Sequence, residues 1–170
     1  VKRVELLAQS LALLSEEKKK LHWTHFGGGD SLEELKAYAA EHLQFMKTDF
    51  PGTVKNEDLL AYYRTHPVDW FVNTSSSEGL PVSIMEACSF GIPIIATDVG
   101  GTSELVREDE TGHLLKADFT PEELAELFRR LFRQKKEKHD ALRQNCRRVW
   151  QEEFCAEVNF DRFAEEIRPQ

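Results

Sequence analysis

The sequence predicts an α/β fold, a doubly wound domain with a mostly parallel sheet. Two observations carry that prediction. Short apolar runs rich in β-branched and aromatic residues alternate with amphipathic helical stretches along the chain. Glycine and proline punctuate the junctions, as Gly91 and Pro93 do around one helix-to-strand turn. The chain has 170 residues, enough for one domain with a proper core.

The elements follow in order. Residues 1–17 read as a helix with Val4, Leu6, Leu7, Leu11, Leu13 and Leu14 on one wide face. Residues 20–26 read as a strand ending at Gly27-Gly28-Gly29. His22 and His25 lie three apart on it, so they point to opposite faces and cannot share one ion. Asp30 or Ser31 caps a helix running to about His42. Residues 46–53 hold a short strand that closes at Pro51-Gly52-Thr53-Val54. A helix from Asn56 or Glu57 runs to His66, where Pro67 ends it. Residues 68–73 form a buried strand, and Pro81 takes the first helical position of a helix over 82–90. A strand over 94–99, a Gly100-Gly101 turn, a short helix over 102–107 and a small strand over 112–115 follow. Thr120, Pro121 and Glu123 form a capping box for the next helix. Residues 129–148 are strongly basic, and residues 135–170 form a helical tail with Trp150, Phe154, Val158, Phe160 and Phe163 along it.

Charge and composition exclude several classes. The 22 basic and 30 acidic residues give a formal net charge of −8, which argues against general nucleic-acid binding. No apolar run approaches the length of a membrane span and no secretory signal is present. Cys88, Cys146 and Cys155 fit no zinc pattern and read as free thiols in a reducing cytosol. Asn73-Thr74-Ser75 has the form of a glycosylation sequon, but at a strand end it reads as incidental. The basic run reads as a solvated helix face or, alternatively, as a peripheral contact with anionic lipid.

The chemistry concentrates in Glu78, Gly79, Leu80, Pro81, Val82, Ser83 and Glu86. The amides of Val82 and Ser83 point out of a helix N-terminus without intrahelical partners, which with the macrodipole makes a seat for an anion such as phosphate. Gly79 lets a ligand approach the backbone closely. Two carboxylates flank the seat, Glu78 ahead of the helix and Glu86 inside it. Beside a phosphate, their task is to accept hydrogen bonds from hydroxyls. A ligand with phosphate in the middle and polyols at both ends is a nucleotide sugar. Taken singly, either glutamate reads first as an ordinary helix-start acid, and only the loop, the helix start and both carboxylates together reverse that reading.

Over about thirty positions, SEGLPVSIMEACSFGIPIIATDVGGTSELV resembles the donor-site signature of retaining GT-B glycosyltransferases of the group 1, family 4-like kind. The match rests on Glu78 and Glu86 with seven residues between them, on the Gly-Leu-Pro turn, and on Gly-Gly-Thr-Ser-Glu. The resemblance implies a Rossmann-like domain, the carboxy-terminal donor-binding half of such an enzyme, spanning 1–170. Glu86 would bind the ribose, Glu78 would face the transferred sugar as the catalytic carboxylate, and the amides from Leu80 to Ser83 would hold the diphosphate. Lys2 would be a second diphosphate ligand, with a solvated helix-start lysine as the alternative. Gly52 and Val54 would touch the nucleobase through backbone, with an ordinary turn as the alternative. An amino-terminal acceptor domain would be missing from this piece, the tail over 135–170 would pack toward it, and the piece alone would transfer nothing. The family's first strand, in the middle of the sheet, would also be missing, leaving an unpaired gap.

The expected activity is transfer of a sugar from a nucleoside diphosphate sugar to a glycan or lipid-linked acceptor. No cofactor is expected, and no metal, because no Asp-x-Asp element is present. The expected place is the cytoplasm, including the inner membrane surface. A nucleotide-sugar epimerase and a non-catalytic nucleotide-sugar-binding module are the alternatives.

Overall fold

The structure is a computed structural model and describes residues 1–17 and 19–167, apart from the side chains of Asp161, Arg162 and Glu166. Its order is α1 (Val4–Ala12), β1 (His22–Phe26), α2 (Leu32–His42), β2 (Lys47–Gly52), α3 (Asn56–Thr65), β3 (Phe71–Asn73), α4 (Val82–Ser89), β4 (Ile94–Thr97), α5 (Thr102–Leu105), β5 (Gly112–Leu115), α6 (Pro121–Phe132) and α7 (Lys136–Val149). A π-helical turn (Trp150–Phe154) then leads into α8 (Ala156–Glu166). All strand pairs are parallel, as expected, but they form two sheets and not one: β1-β2 and β3-β4-β5. The chain groups into two compact units. The first comprises Val1–His66, Thr74–Ser76 and Asp118–Gln134; the second comprises Pro67–Asn73, Ser77–Ala117 and Lys135–Gln170.

In the first unit the core is made by Leu7, Ala8, Leu11 and Leu14 with Leu35, Ala39, Leu43, Phe119, Leu124 and Phe128. α1 is shorter than the sequence implied. It starts at Val4 because Arg3 sits in the left-handed region at φ 46°. The Arg3 guanidinium donates to the carbonyls of Thr74 (2.8 Å) and Ser75 (3.3 Å) and lies over the Phe119 ring. α1 ends at Ala12, and the turn after it is fastened by Arg129, which donates to Leu13 O (2.7 Å) and pairs with Glu17 (3.1 Å). Leu13, expected on the apolar face, is therefore 41% exposed. Ser31 is the N-cap of α2, yet no side-chain cap bond forms there. Thr120 does form the capping box of α6 with Glu123.

The second unit buries Ile84, Ala87, Cys88, Ile92, Ile94, Ile95, Leu105, Val106, Leu142, Cys146 and Val149. β3 has three residues, not the six expected, because the backbone before it has other partners. Arg143 donates to Val68 O (2.7 Å) and His139 bonds Asp69 O (3.0 Å), so those carbonyls meet α7 instead of a strand. Gly112 opens β5 against β4, where a Cβ would stand 1.9 Å from Ile94 O.

The basic run is largely spent on the protein itself. In the second unit Lys136 pairs with Asp140, Lys138 with Asp109, and Arg148 with Glu110 and Glu152, while Arg147 donates to Ser89 O. The tail likewise packs within its own unit, with α7 against α4. A Cβ on Gly91 would come 2.9 Å from Arg143 O. Among the described residues no helix is long and apolar enough to cross a membrane.

Candidate functional site

In the second unit the Glu78 loop follows the carboxyl end of β3, and in the first Gly52 closes β2; ligands of parallel sheets bind beyond such ends. In the second unit β3 delivers the chain into the Glu78 loop, which leads to α4. Pro81 is the N-cap of α4, at φ −75° and ψ 103°, and not its first helical residue. An extended backbone is typical of the residue before a helix, and proline's ring suits it at φ near its fixed value. Pro81 O accepts the Ile84 amide at 3.0 Å. Proline has no side-chain acceptor, and no side-chain cap bond closes this tip. Val82 and Ser83 are thus the first two helical residues, whose amides have no acceptor within the helix. Val82 is 60% and Leu80 44% exposed, so the approach to the tip is open.

Glu78 is half-buried, and its Oε1 accepts a hydrogen bond from Asn73 Nδ2 at 3.0 Å. Glu86, half-buried, lies one turn inside α4. Gly79 faces open space: a Cβ there would meet nothing within 4 Å. The glycine that the protein's own packing requires is Gly100. At φ 55° it lies against the Glu78 loop, and a Cβ on it would fall 1.9 Å from Glu78 O. The neighbouring Gly101 amide donates to Gly79 O at 2.8 Å. The Gly-Gly turn after β4 is therefore a backbone template for the loop that carries Glu78. The sequence marks Gly100-Gly101 as a turn within the donor-site signature and Asn73 only as part of a sequon. The missed signal was an amide residue ending an apolar strand five positions before an acid.

The first unit holds Lys2, Gly52 and Val54. Lys2 is exposed, and its carbonyl accepts Thr74 Oγ1 at 2.8 Å. Gly52 ends β2 at φ 77°, which explains glycine at that place. Its carbonyl accepts the Gly27 amide at 3.0 Å. Gly28 backs the same turn, since a Cβ on it would lie 2.6 Å from Thr53 Oγ1. Val54 is half-buried.

His22 and His25 do take opposite faces. His22 bonds Asp49 at 2.7 Å, and Lys47 followed by His22 holds that carboxyl below its usual range. His25 packs against Trp23 and Phe50, where burial lowers its pKa. Among the described residues, one group has the donors to hold a cation: Glu108, Asp109 and His113. It lies at the amino end of β5, away from the strand ends that carry the site of this unit. Its charge is already answered, by His113 Nδ1 (2.7 Å) and the Leu114 amide (2.9 Å) on Glu108 and by Lys138 on Asp109 (2.7 Å).

Comparison with known proteins gives a consistent result. A family model described as "Glycosyl transferases group 1" matches residues 1–149. The O-antigen biosynthesis glycosyltransferase WbnH of Escherichia coli is 37% identical over 128 residues, covering 69% of this chain and 34% of WbnH. The lipopolysaccharide 1,6-galactosyltransferase of E. coli K12 is 31% identical over 120 residues, 66% of this chain and 31% of that protein. The chain thus spans about a third of the length of the curated relatives it matches. Among solved structures, HepE of Anabaena in complex with UDP-glucose superposes with a TM-score of 0.76 at 21% identity, over 98% of this chain and 45% of that one. The C-terminal domain of the group 1 family protein LpcC from Francisella tularensis gives 0.73 at 19% identity, over 91% of this chain and 80% of that one.

Proposed function

Since this chain belongs to the glycosyl transferases group 1 family, we propose that it is the donor-binding part of a glycosyltransferase. The whole protein would move a sugar from a nucleoside diphosphate sugar to a glycan or lipid-linked acceptor with retention of configuration and without a metal. The observation that carries this reading is the tip of α4, which has no side-chain cap and stands between Glu78 and Glu86. Amides already aimed outward stabilise a diphosphate leaving group as its charge grows, with no reorganisation at the moment of reaction. Glu86 accepts from the ribose hydroxyls, and Glu78 faces the transferred sugar. The roles offered for Lys2 on the diphosphate and for Gly52 and Val54 on the base belong to the same proposal. Structures titled as complexes with UDP-glucose and UDP among those of like fold support a nucleotide-sugar ligand.

The test is titration of the chain with UDP-glucose, GDP-mannose and ADP-glucose by calorimetry, backed by ligand-observed NMR at millimolar concentration. At least one should bind. Glu86→Ala should weaken it roughly 10- to 100-fold, the worth of a hydrogen bond to a charged group. Unchanged affinity in that variant removes the site assignment. Absence of binding by all three donors removes the reading.

A further inference from the structure

Asn73 is the last residue of β3 and is 8% exposed. β3 reads Phe-Val-Asn, and its pairing with β4 sets Asn73 beside Ala96. An aliphatic side chain would be the expected occupant of such a place, because a buried amide costs stability unless its donors and acceptor are met. Here the cost is met by a bond that crosses a loop. Asn73 Nδ2 donates to Glu78 Oε1 at 3.0 Å. The same bond makes Asn73 unsuitable as a glycosylation acceptor.

We infer that Asn73 is a positioning residue for Glu78, holding the carboxylate in one orientation toward the transferred sugar. The inference rests on the reading of Glu78 as the sugar-facing carboxylate. Three physical points carry it. First, Glu78 lies in a loop, where a free side chain would sample several rotamers, while Asn73 lies on a strand locked into a sheet. A donor on the rigid element selects the rotamer of the acceptor on the looser one. Second, the donor is a neutral amide. A lysine or arginine there would orient the carboxylate too, but would offset the negative charge that a sugar hydroxyl or a positively charged reacting centre needs. Third, a carboxylate has about four lone-pair positions, and the Asn73 bond takes only one of them.

The chain backbone around the pair points the same way. The Gly100-Gly101 turn fixes the main chain of Glu78 and Gly79 from behind. Asn73 then fixes what the main chain leaves open, the direction of the carboxyl group. Buried Thr97, at the end of β4, places its hydroxyl 3.5 Å from Asn73 O.

The test measures the sugar's contribution to binding, the ratio of the Kd of UDP to that of UDP-glucose, with GDP and GDP-mannose run in parallel. The variants are Asn73→Ala, Asn73→Asp and Glu78→Ala, each checked for native melting and near-ultraviolet circular dichroism. Asn73→Ala should cut that ratio about 5- to 10-fold, one hydrogen bond's worth, and leave nucleotide diphosphate binding unchanged. Combined with Glu78→Ala it should add nothing further, since both act through one group.

Asn73→Asp supplies a readout that a merely structural role would not move. Two carboxyls at this separation share a proton, so one of them titrates well above its usual range. The sugar contribution should be poor at pH 8 and recover as pH falls toward 5.5, when the new carboxyl becomes a donor to Glu78. The terminal phosphate of UDP itself titrates over that range, so the readout is the difference between Asn73→Asp and the unsubstituted chain at each pH. A pH-independent loss in Asn73→Asp overturns the inference. So does a wild-type ratio in Asn73→Ala while Glu78→Ala lowers it, an outcome that leaves the proposed function standing. An unchanged ratio in Glu78→Ala, or a wild-type ratio of one with both nucleotide pairs, removes the role given to Glu78 and the inference with it.

Discussion

The Gly100-Gly101 turn offers the sharpest test of how this site is built. Consider Gly100→Ala. The backbone at this residue is at φ 55°, a left-handed conformation that costs a residue with a Cβ roughly 1–2 kcal/mol. The new methyl would stand 1.9 Å from Glu78 O and 2.8 Å from Glu78 C. Backbone atoms cannot swing aside as a side-chain tip can, so the Glu78 peptide must withdraw by about 1 Å. That movement strains the bond from the Gly101 amide to Gly79 O, now 2.8 Å, which is worth about 1 kcal/mol. The total is about 2–3 kcal/mol, a fall in Tm of roughly 4–12 °C for a chain of this size. Binding should suffer beyond what stability explains, because the displaced peptide carries Glu78 and leads into α4. Differential scanning fluorimetry and titration with the donor bound by the unsubstituted chain measure both effects. Gly79→Ala is the control: its methyl meets no protein atom within 4 Å, so its Tm should hold. A Gly100→Ala protein that melts and binds like the parent would refute the claim that this turn templates the loop.

Two further predictions concern groups away from the Glu78 loop. Burial lowers the pKa of His25 from its ordinary 6.5, so the folded state disfavours its protonation. Its contribution to stability is complete above pH 6.5 and is lost as pH falls toward the lowered folded value. His25→Phe keeps an aromatic ring between Trp23 and Phe50 and should flatten the fall in Tm between pH 7 and 5.5; a slope as steep as the parent's would sink the assignment. The three cysteines should separate by reactivity. Cys88 and Cys146 are 1% and 0% exposed, and a hydrogen bond with Cys88, then burial, pushes the Cys146 thiol far up. Half-buried Cys155 should react with a thiol reagent first, and the other two only when the chain unfolds. Prompt titration of all three would contradict the packing of α4 on α7.

Element identity was legible because periodicity and punctuation state it locally. Gly91 and Pro93 mark a helix end and a strand start in any fold, and the Thr120 capping box depends on four consecutive residues. Element ends were less legible because they depend on distant partners. Nothing near Val68 announces that Arg143 will take its carbonyl, and nothing near Arg3 announces that Thr74 and Ser75 will hold it in a left-handed conformation. The division into two sheets lies further still from local pattern, since a strand's neighbours are not written in its own residues. At the site the same contrast holds. The uncapped tip of α4 could be read from Pro81 and the helix after it. The supports of Glu78 could not, because Asn73 and Gly100 look like a strand end and a turn until the chain folds.

Helix α4 shows how one short element reconciles stability with an open tip. A helix end without acceptors for its amides is a cost, and an eight-residue helix is too short to hold itself together in isolation. Its stability has to come from elsewhere. Ile84, Ala87 and Cys88 face the core, and the far end is fastened. Arg147 donates to Ser89 O there, and Gly91 lies so close to α7 that a methyl would meet Arg143 O at 2.9 Å. Arg147, one of the arginines that a bare sequence offers to a lipid surface, is thus engaged at the carbonyl end of this helix, where positive charge also complements the dipole. With that end secured, the amino end can stay uncapped without unravelling. If so, loosening the far end should weaken anion binding at the near one, although the two lie a full helix apart. Arg147→Ala is the variant that asks this. It removes no group from the seat, so a loss of donor affinity there would come through α4 itself, and an unaltered affinity with a lowered Tm would confine Arg147 to stability alone.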